Sequence, residues 1–259
     1  MLEITALPAF DDNYIWVVRN PGSSGVVVVD PGDETPVLEW LRSTSTQLNA
    51  LLLTHHHYDH VGGVPELAQA FPGLRVYGPA NRKIRGLTHP LHEGDRPRIP
   101  GLDAQLQVFE VPGHTADHIA YYGEGVLFCG DTLFAGGCGR VFDGSFQQLS
   151  DSLLRIAELP SDTQIYCAHE YTLDNLGFAQ WVEPENPMIE QRLIEARARR
   201  DAGLPTVPSR LETERDTNPF LRTRIAEVVA IAEAKTGHRL SDPSAVFTAL
   251  RQWKDREYD

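Results

Sequence analysis

Four histidines and an aspartate lie within seven consecutive positions, directly after a short apolar run. Residues 54–60 read T-H-H-H-Y-D-H, residues 51–53 before them read L-L-L, and residues 64–71 after them have a helix-like pattern. A buried strand that ends in a polar loop before a helix places side chains at the rim of a sheet, where ligands usually bind. Imidazole and carboxylate groups are ligands of divalent metals. Since the chain has only 10 histidines, this cluster predicts a metal site rather than a chance accumulation.

The spacing within the cluster predicts parts of two adjacent metal sites. His55 and His57 are two positions apart, so both face one side of an extended segment. His56 lies between them, should point away, and is not expected to be a ligand. Asp59 and His60 follow where the chain turns, so they can face a second point nearby.

Composition and charge argue against several classes of protein. With 259 residues, of which 41% are hydrophobic, the chain can form one large domain or one domain with a smaller appendage. Its formal net charge of −13 argues against a general nucleic-acid or anionic-membrane binder. Its apolar runs are shorter than the roughly 18 residues of a membrane-spanning helix, and its first residues lack the pattern of a signal peptide. The three separated cysteines suggest reduced thiols in a cytoplasmic protein.

Short strands and turns dominate the first two thirds of the chain. Predicted strands cover residues 26–29, 51–53, 74–77, 105–111, 119–122, 126–129 and 165–167, and predicted helices cover 35–42 and 146–158. From about residue 171 the pattern becomes helical, with predicted helices at 188–202, 223–235 and 244–254 and a proline-containing connector at 203–219. We therefore predict a mixed α/β domain over residues 1–170 and a small helical domain over residues 171–259.

Three further strand ends carry a residue that can bind a metal. His114 follows P-G, Asp131 follows C-G and His169 follows C-A, each just past a predicted strand. One aspartate after a glycine is more often a turn residue. Strand-end loops of one sheet converge in space, however, and the recurrence at several strand ends favours a shared site with the histidine cluster.

These motifs resemble those of the metallo-β-lactamase superfamily and, within it, of the hydroxyacylglutathione hydrolase (glyoxalase II) family. The superfamily motifs are T-H-H-H-Y-D-H-V-G-G (54–63), P-G-H-T (112–115), G-D-T (130–132) and A-H-E (168–170). The family motifs are D-D-N-Y (11–14), F-A-G-G-C-G-R (134–140), H-E-Y-T (169–172) and N-P-F-L-R (218–222). The resemblance extends to Arg251 and Lys254, so it covers essentially the whole chain.

The resemblance implies an αββα sandwich of the metallo-β-lactamase type, followed by a small C-terminal helical domain that binds substrate. It also implies two divalent metal ions, with zinc as the first choice and iron or manganese as alternatives. The first ion would be bound by His55, His57 and His114, the second by Asp59, His60 and His169, and Asp131 would bridge them. A catalytic role is thereby expected for Asp59 and Asp131.

The implied reaction is hydrolysis of S-(2-hydroxyacyl)glutathione thioesters, such as S-D-lactoylglutathione, to glutathione and a 2-hydroxy acid, as part of methylglyoxal detoxification. A hydroxide held between the two metals would attack the thioester carbonyl, and the sequence has no G-x-S-x-G motif for a serine nucleophile. By resemblance, the glutathione half would be bound by Arg140, Tyr171, Arg251 and Lys254. The protein is further expected to be a cytoplasmic monomer without nucleic-acid or membrane partners.

The chain departs from the family pattern at two positions near the expected site. Asp117 stands where the family usually has glycine, and Phe142 stands where some relatives have tyrosine. Asp117 adds charge near the first metal, and Phe142 would lose one hydrogen bond to the peptide. His118 is equally compatible with supporting a ligand and with simple packing, whereas Cys138 is expected to pack rather than act as a nucleophile.

Other functions are compatible with the histidine motif alone. A persulfide dioxygenase of the same superfamily, an oxidoreductase with one iron, shares the motif but should not need the helical tail with Arg251 and Lys254. A lactonase or a β-lactamase is a further alternative, although a β-lactamase would usually be exported. A non-enzymatic metal-binding module predicts saturated coordination without a pocket, and the basic residues of the tail argue against it.

Overall fold

The computed structural model describes residues 2–258, which divide into two compact units. The first unit comprises the chain up to Glu110 together with Asp117–Gly130, and the second comprises Val111–Ala116 together with the chain from Asp131 onward. Met1 and Asp259, the outer limits of the two domains predicted from the sequence, lie outside the described residues. The predicted domain boundary at residue 170 stays a prediction.

A mixed β-sheet forms the base of the first unit. Its strands, which are neighbours in chain order, are β1 Glu3–Ala9, β2 Asn13–Arg19, β3 Gly25–Val29, β4 Gln47–Leu52, β5 Arg75–Pro79 and β6 His89–Leu91. β1, β2 and β3 pair antiparallel, whereas β3 to β6 run parallel. The valine run of β3 is buried along its whole length, as expected for a parallel strand covered on both faces. Because β3 and β4 are parallel neighbours, their carboxyl ends lie at one edge of the sheet.

Helices connect the parallel strands of this sheet. They are α1 Glu34–Thr44, between β3 and β4, and α2 Tyr58–Val61 and α3 Val64–Ala70, between β4 and β5. Asp33 caps α1, since its side chain accepts a hydrogen bond of 2.8 Å from the amide of Thr35. Apolar residues of α1 and α3 share a buried core with the strands. The polar loop between β4 and α2 therefore stays at the edge of the sheet.

A second, antiparallel group of strands completes the first unit and fixes the end of β4. It consists of β7 Gln107–Glu110, β8 Ile119–Gly123 and β9 Val126–Gly130. The buried hydroxyl of Tyr121 donates a hydrogen bond of 2.8 Å to the carbonyl of Leu53, and the amide of Ile119 donates one of 2.9 Å to the carbonyl of Thr54. Burial, followed by the charge of Asp30, raises the pKa of Tyr121 well above its usual value, so this phenol remains a donor.

The second unit contains short strands and most of the helices. Its strands are β10 Leu133–Phe134, β11 Gly137–Cys138, β12 Gln164–Cys167 and β13 Ser209–Arg210. Its helices are α4 Phe146–Ile156, α5 Thr172–Val182, α6 Pro187–Asp201, α7 Leu211–Thr217, α8 Ala226–Thr236 and α9 Pro243–Glu257. β10 and β11 form a hairpin, β12 pairs with β13, and α5 packs on α6 through Leu176, Ile189 and Leu193.

The helical character predicted after residue 171 is confirmed, with two differences. The predicted helices at 188–202, 223–235 and 244–254 correspond to α6, α8 and α9. The segment predicted as a connector contains α7, and α5 begins at Thr172, where no helix was predicted. α7 is short and reads L-E-T-E-R-D-T, so its sequence has no apolar repeat that would predict a helix. Among residues 2–258, none of the helices is both long and apolar enough to cross a bilayer.

Candidate metal centre

The loop after β4 brings its predicted metal ligands together. The imidazole of His55 lies 4.7 Å from that of His57 and 4.0 Å from that of His60, measured between ring centroids. His60 Nε2 lies 3.4 Å from Asp59 Oδ2. His55 and His60 are fully buried, whereas His57 and Asp59 are partly exposed. This one loop therefore presents three imidazoles and a carboxylate within a small volume, as its spacing predicts.

Asp30, which precedes Pro31-Gly32 in the sequence, organises this loop. It follows β3 and has a positive φ of 51°. Its buried carboxylate accepts hydrogen bonds from the amide of Thr54 (2.8 Å) and from its hydroxyl (2.7 Å). His60 Nδ1 lies 3.0 Å from Asp30 Oδ2. A carboxylate on Nδ1 fixes the ring and its tautomer, and leaves Nε2 as the ligand atom.

Asn13, from the D-D-N-Y motif, holds Asp59. Its side-chain amide donates a hydrogen bond of 3.0 Å to Asp59 Oδ2 and one of 3.4 Å to the carbonyl oxygen of the same residue. Gly32 permits this close packing, because a Cβ at that position would lie 1.8 Å from the carbonyl oxygen of Asp59. Residues from β2 and from the turn after β3 thus determine where the Asp59 carboxylate points.

His56 takes part in a different set of contacts from its neighbours in the loop. Its Nδ1 lies 2.8 Å from Asp117 Oδ1, and its Nε2 lies 3.0 Å from the ammonium group of Lys83. Asn81 donates a hydrogen bond of 2.7 Å to the other oxygen of Asp117. This arrangement agrees with the expectation that His56 is not a ligand. It also gives Asp117, the departure from the family pattern, a partner in the histidine loop.

His118 packs directly on one of the predicted ligands. It is buried, and its ring stacks on that of His55 with a centroid separation of 4.6 Å and an interplanar angle of 17°. Thr54 Oγ1 lies 3.1 Å from His55 Nδ1. His118 and Thr54 together restrict the His55 ring, and both interpretations of His118, support of a ligand and simple packing, stay predictions.

The second unit brings its own three predicted ligands together. Asp131 Oδ2 lies 3.4 Å from His114 Nε2, and Asp131 Oδ1 lies 3.3 Å from His169 Nε2. All three side chains are buried. His114 Nδ1 lies 2.8 Å from the carbonyl oxygen of Arg140, so the backbone fixes this ring with Nε2 toward Asp131. Each oxygen of Asp131 therefore faces a different histidine, as a bridging carboxylate requires.

The predicted substrate-binding cations lie close together in the second unit, and two of them are buried. Arg251 is 1% exposed, donates to the carbonyl of Cys138 (3.2 Å), and lies 2.8 Å from Asp255. Lys254 is 4% exposed and lies 3.3 Å from Asp174. The alternative that these residues form a solvated helix face is therefore wrong.

The other two predicted substrate residues are more accessible. Arg140 is exposed, and its Nε lies 3.9 Å from Asp255, the carboxylate that also contacts Arg251. Tyr171 is half-buried and stacks on His169 with a centroid separation of 4.7 Å and an interplanar angle of 6°. Arg140 and Arg251 thus both contact Asp255, and Tyr171 packs against His169, a predicted metal ligand.

The donor set fits divalent metal ions. Each unit supplies imidazoles and at least one carboxylate, which suit zinc, iron and manganese. His60 and His114 have Nδ1 hydrogen-bonded and Nε2 beside a carboxylate, which is the arrangement that metal-binding histidines usually show.

Comparisons with known proteins agree with this chemistry. The pattern of the metallo-beta-lactamase superfamily matches residues 9–169, and that of the hydroxyacylglutathione hydrolase C-terminus matches residues 170–257. A curated hydroxyacylglutathione hydrolase of Nitrosomonas europaea is 49% identical over 98% of this chain and 96% of its own length. One of Alkalilimnicola ehrlichii is 53% identical over 99% of this chain and its whole length. The chain belongs to the hydroxyacylglutathione hydrolase family.

The predicted fold class is confirmed by the same comparisons. The chain has the metallo-β-lactamase fold, with mixed sheets and helices, and the helical C-terminal region of the hydroxyacylglutathione hydrolases. Among solved structures, TTHA1623, described in a di-iron-bound form, aligns with a TM-score of 0.54 and 32% identity over 64% of this chain and 91% of its own.

Two further side chains of this hydroxyacylglutathione hydrolase family member bear on the site. Phe142 is exposed, and its ring meets that of His114 edge-on at a centroid distance of 5.2 Å. Cys138 is buried, and burial raises the pKa of its thiol to about 11, although the charges of Arg251 and Lys254 act in the opposite direction. A buried, protonated thiol is a poor nucleophile, which supports the expectation that Cys138 has a packing role.

Proposed function

We propose that this protein hydrolyses S-(2-hydroxyacyl)glutathione thioesters, such as S-D-lactoylglutathione, to glutathione and the corresponding 2-hydroxy acid. The observation that carries the proposal is the similarity to curated proteins named hydroxyacylglutathione hydrolase. Two of them are 49% and 53% identical to this chain over 98% and 99% of its length. This similarity includes the helical tail, which a persulfide dioxygenase or a lactonase would not need for its substrate. A role in methylglyoxal detoxification, in the cytoplasm and as a monomer, stays a prediction.

Two divalent ions are the cofactors we propose. His55, His57 and His114 would bind one ion, Asp59, His60 and His169 the other, and Asp131 both. Support comes from the imidazole and carboxylate donors of each unit, and from the di-iron-bound relative. Zinc suits this donor set, as do iron and manganese. When bound, such ions supply Lewis acidity, which lowers the pKa of water and offsets charge on a carbonyl oxygen.

The protein's own groups orient the proposed site. Asp30 holds Nδ1 of His60, the carbonyl of Arg140 holds Nδ1 of His114, and Asn13 holds the carboxylate of Asp59. These proposed ligands are therefore oriented before substrate binds, so that less reorganisation is needed during the reaction. The leaving group is a thiolate, so the reaction does not require a strong general acid from the protein.

We further propose that Arg140, Tyr171, Arg251 and Lys254 bind the glutathione half of the substrate. Glutathione carries carboxylates, and the protein carries a formal net charge of −13, so attraction depends on local cations. Arg140 and Arg251 both contact Asp255, and Lys254 contacts Asp174. These protein carboxylates hold the cations in place, and a substrate carboxylate would share or replace them.

The proposal is tested on the purified protein by metal analysis together with a thioester hydrolysis assay. We expect about two metals per chain, by analogy with other two-metal sites, and rapid hydrolysis of S-D-lactoylglutathione that a chelator abolishes and added metal restores. A fully active protein with one metal would contradict the two-metal site. A metal-loaded protein that leaves the thioester intact but consumes oxygen with a glutathione persulfide would favour the dioxygenase alternative.

Lys254 offers a clean test of substrate recognition. Replacing Lys254 by alanine should raise KM for the glutathione thioester by about tenfold or more, because a charged hydrogen bond contributes roughly 1.5–3 kcal/mol. kcat should change little, since the contact is remote from the reacting bond. Arg256→Ala is the matched control, because Arg256 lies on the same helix and is exposed. Both variants should be compared on a thioester that lacks the peptide, and an equal effect of Lys254→Ala on both substrates would show a folding role instead.

A further inference from the structure

The hairpin of β10 and β11 is held by side chains of the helices that follow it. We call residues 133–139, L-F-A-G-G-C-G, the glycine hairpin. Asn175 of α5 donates to the carbonyl of Ala135 (3.2 Å), and Arg251 of α9 donates to the carbonyl of Cys138 (3.2 Å). Asn218, after α7, donates to the carbonyl of Gly137 (2.9 Å). The hairpin therefore depends on contacts from three separate elements of the helical tail.

Glu214 of α7 is a charged group that bonds directly to an amide of this hairpin. Its side chain is fully buried, and its Oε2 accepts a hydrogen bond of 2.8 Å from the amide of Gly136. The same oxygen accepts one of 3.1 Å from Asn218, and Oε1 pairs with Arg192 of α6. A buried carboxylate that accepts donors from the hairpin, from α6 and from the residue after α7 fixes their relative positions, because any displacement leaves a buried charge poorly paired.

The far end of the glycine hairpin leads directly to predicted metal ligands. Gly139 packs so closely that a Cβ there would lie 2.1 Å from the carbonyl oxygen of Asp131 and 2.9 Å from His114 Nδ1. The next residue, Arg140, provides the carbonyl oxygen that lies 2.8 Å from His114 Nδ1. A displacement of the hairpin would thus move the backbone group that orients the His114 ring.

We propose that Glu214 is a positioning residue for the metal centre, which acts through the glycine hairpin on His114 and Asp131. The inference rests on the proposed metal site and goes beyond it, since it gives the helical tail a second role besides substrate binding. Glu214 bonds Gly136, the hairpin leads to Arg140, and the Arg140 carbonyl holds His114 with Nε2 facing Asp131. The tail is therefore linked to His114 by two hydrogen bonds and by the backbone of residues 136–140 that lies between them.

The variant that tests this role is Glu214→Gln, which keeps the shape of the side chain. A carboxylate offers two acceptor oxygens to the donors of Gly136, Asn218 and Arg192, whereas an amide offers one oxygen and turns its own N–H groups toward donors. We expect metal affinity, measured by competition with a chelator on protein shown to be folded, to fall by about tenfold, at the lower end of the range for residues that support metal ligands. Glu212→Gln is the matched control, since Glu212 is exposed on the same helix.

A second readout separates positioning from general stability. In the metal-free protein, Glu214→Gln should speed amide hydrogen exchange within residues 133–139, while the exchange of β3 and β4 in the other unit stays unchanged. Faster exchange of the hairpin together with a metal affinity equal to that of the parent would overturn the proposal, because Glu214 would then serve stability alone.

If Glu214→Gln does not fold, Asn175→Ala provides the test, since it removes one hydrogen bond to the hairpin without removing the buried charge. This variant should also lower metal affinity, and an unchanged affinity would overturn the proposal. A parent protein that binds no metal would overturn the proposed function as well, whereas a two-metal parent with an unaffected Glu214→Gln variant contradicts the positioning role only.

Discussion

Replacement of Asp131 by alanine is expected to empty both metal sites and to lower turnover by more than about a hundredfold. The two oxygens of Asp131 face different histidines, His114 and His169, at 3.4 and 3.3 Å. Loss of a residue that merely supports a ligand typically costs about 10- to 100-fold in metal affinity or activity, and loss of a carboxylate shared by two ions should exceed that range. The measurement is the metal content of the dialysed protein, together with kcat on a glutathione thioester.

Asp59→Ala provides the informative contrast to Asp131→Ala. Because Asp59 is assigned to one ion only, its removal should lower the metal content from about two to about one per chain, whereas Asp131→Ala should remove both. Asp151→Ala controls for the loss of one negative charge, since Asp151 is exposed in α4 of the second unit. An Asp131 variant that keeps both metals, or an Asp59 variant that loses both, would require a different assignment of the ligands.

The histidine loop was predictable from the sequence because its information is local. The alternation of His55, His56 and His57 separates two directions in an extended segment, and in the structure His56 indeed contacts Asp117 and Lys83 while His55 lies against His57 and His60. The strand before the loop and the helix after it follow from an apolar run and a period of about 3.6 residues. In the helical tail, α6, α8 and α9 were predictable for the same reason, whereas α5 and α7 were not predicted.

The residues that support the ligands were not predictable in this way, because they depend on tertiary pairing. Asp30 and Thr54 are 24 positions apart, and they meet because β3 and β4 are parallel neighbours whose carboxyl ends coincide. In the sequence, Asp30 precedes Pro31-Gly32 and is indistinguishable from an ordinary turn residue. Glu214 likewise lies in a charged segment that reads as exposed, and only the packing of α7 shows that its side chain is buried.

Asp30 should also be among the most sensitive positions for stability. Its carboxylate is buried and receives hydrogen bonds from the amide and hydroxyl of Thr54, and it contacts Nδ1 of His60 at 3.0 Å. In Asp30→Asn one oxygen becomes an amide nitrogen, so at least one buried donor faces another donor. A buried polar group without a partner costs roughly 1–3 kcal/mol, and a hydrogen bond to a charged group contributes roughly 1.5–3 kcal/mol. We therefore expect the free energy of unfolding of the metal-free protein to fall by about 3 kcal/mol.

Metal binding distinguishes the two consequences of Asp30→Asn. Since Asp30 also fixes the tautomer of His60, the folded variant should bind its metals about 10- to 100-fold more weakly, beyond the loss of stability. Asp33→Asn is the matched control, because Asp33 caps α1 three residues later and asparagine is an equally good capping residue. Urea unfolding of the metal-free proteins gives the first quantity, and chelator competition under conditions where each protein is folded gives the second. If Asp30→Asn unfolds like Asp33→Asn and retains the parent's metal affinity, then Asp30 neither holds the histidine loop nor orients His60.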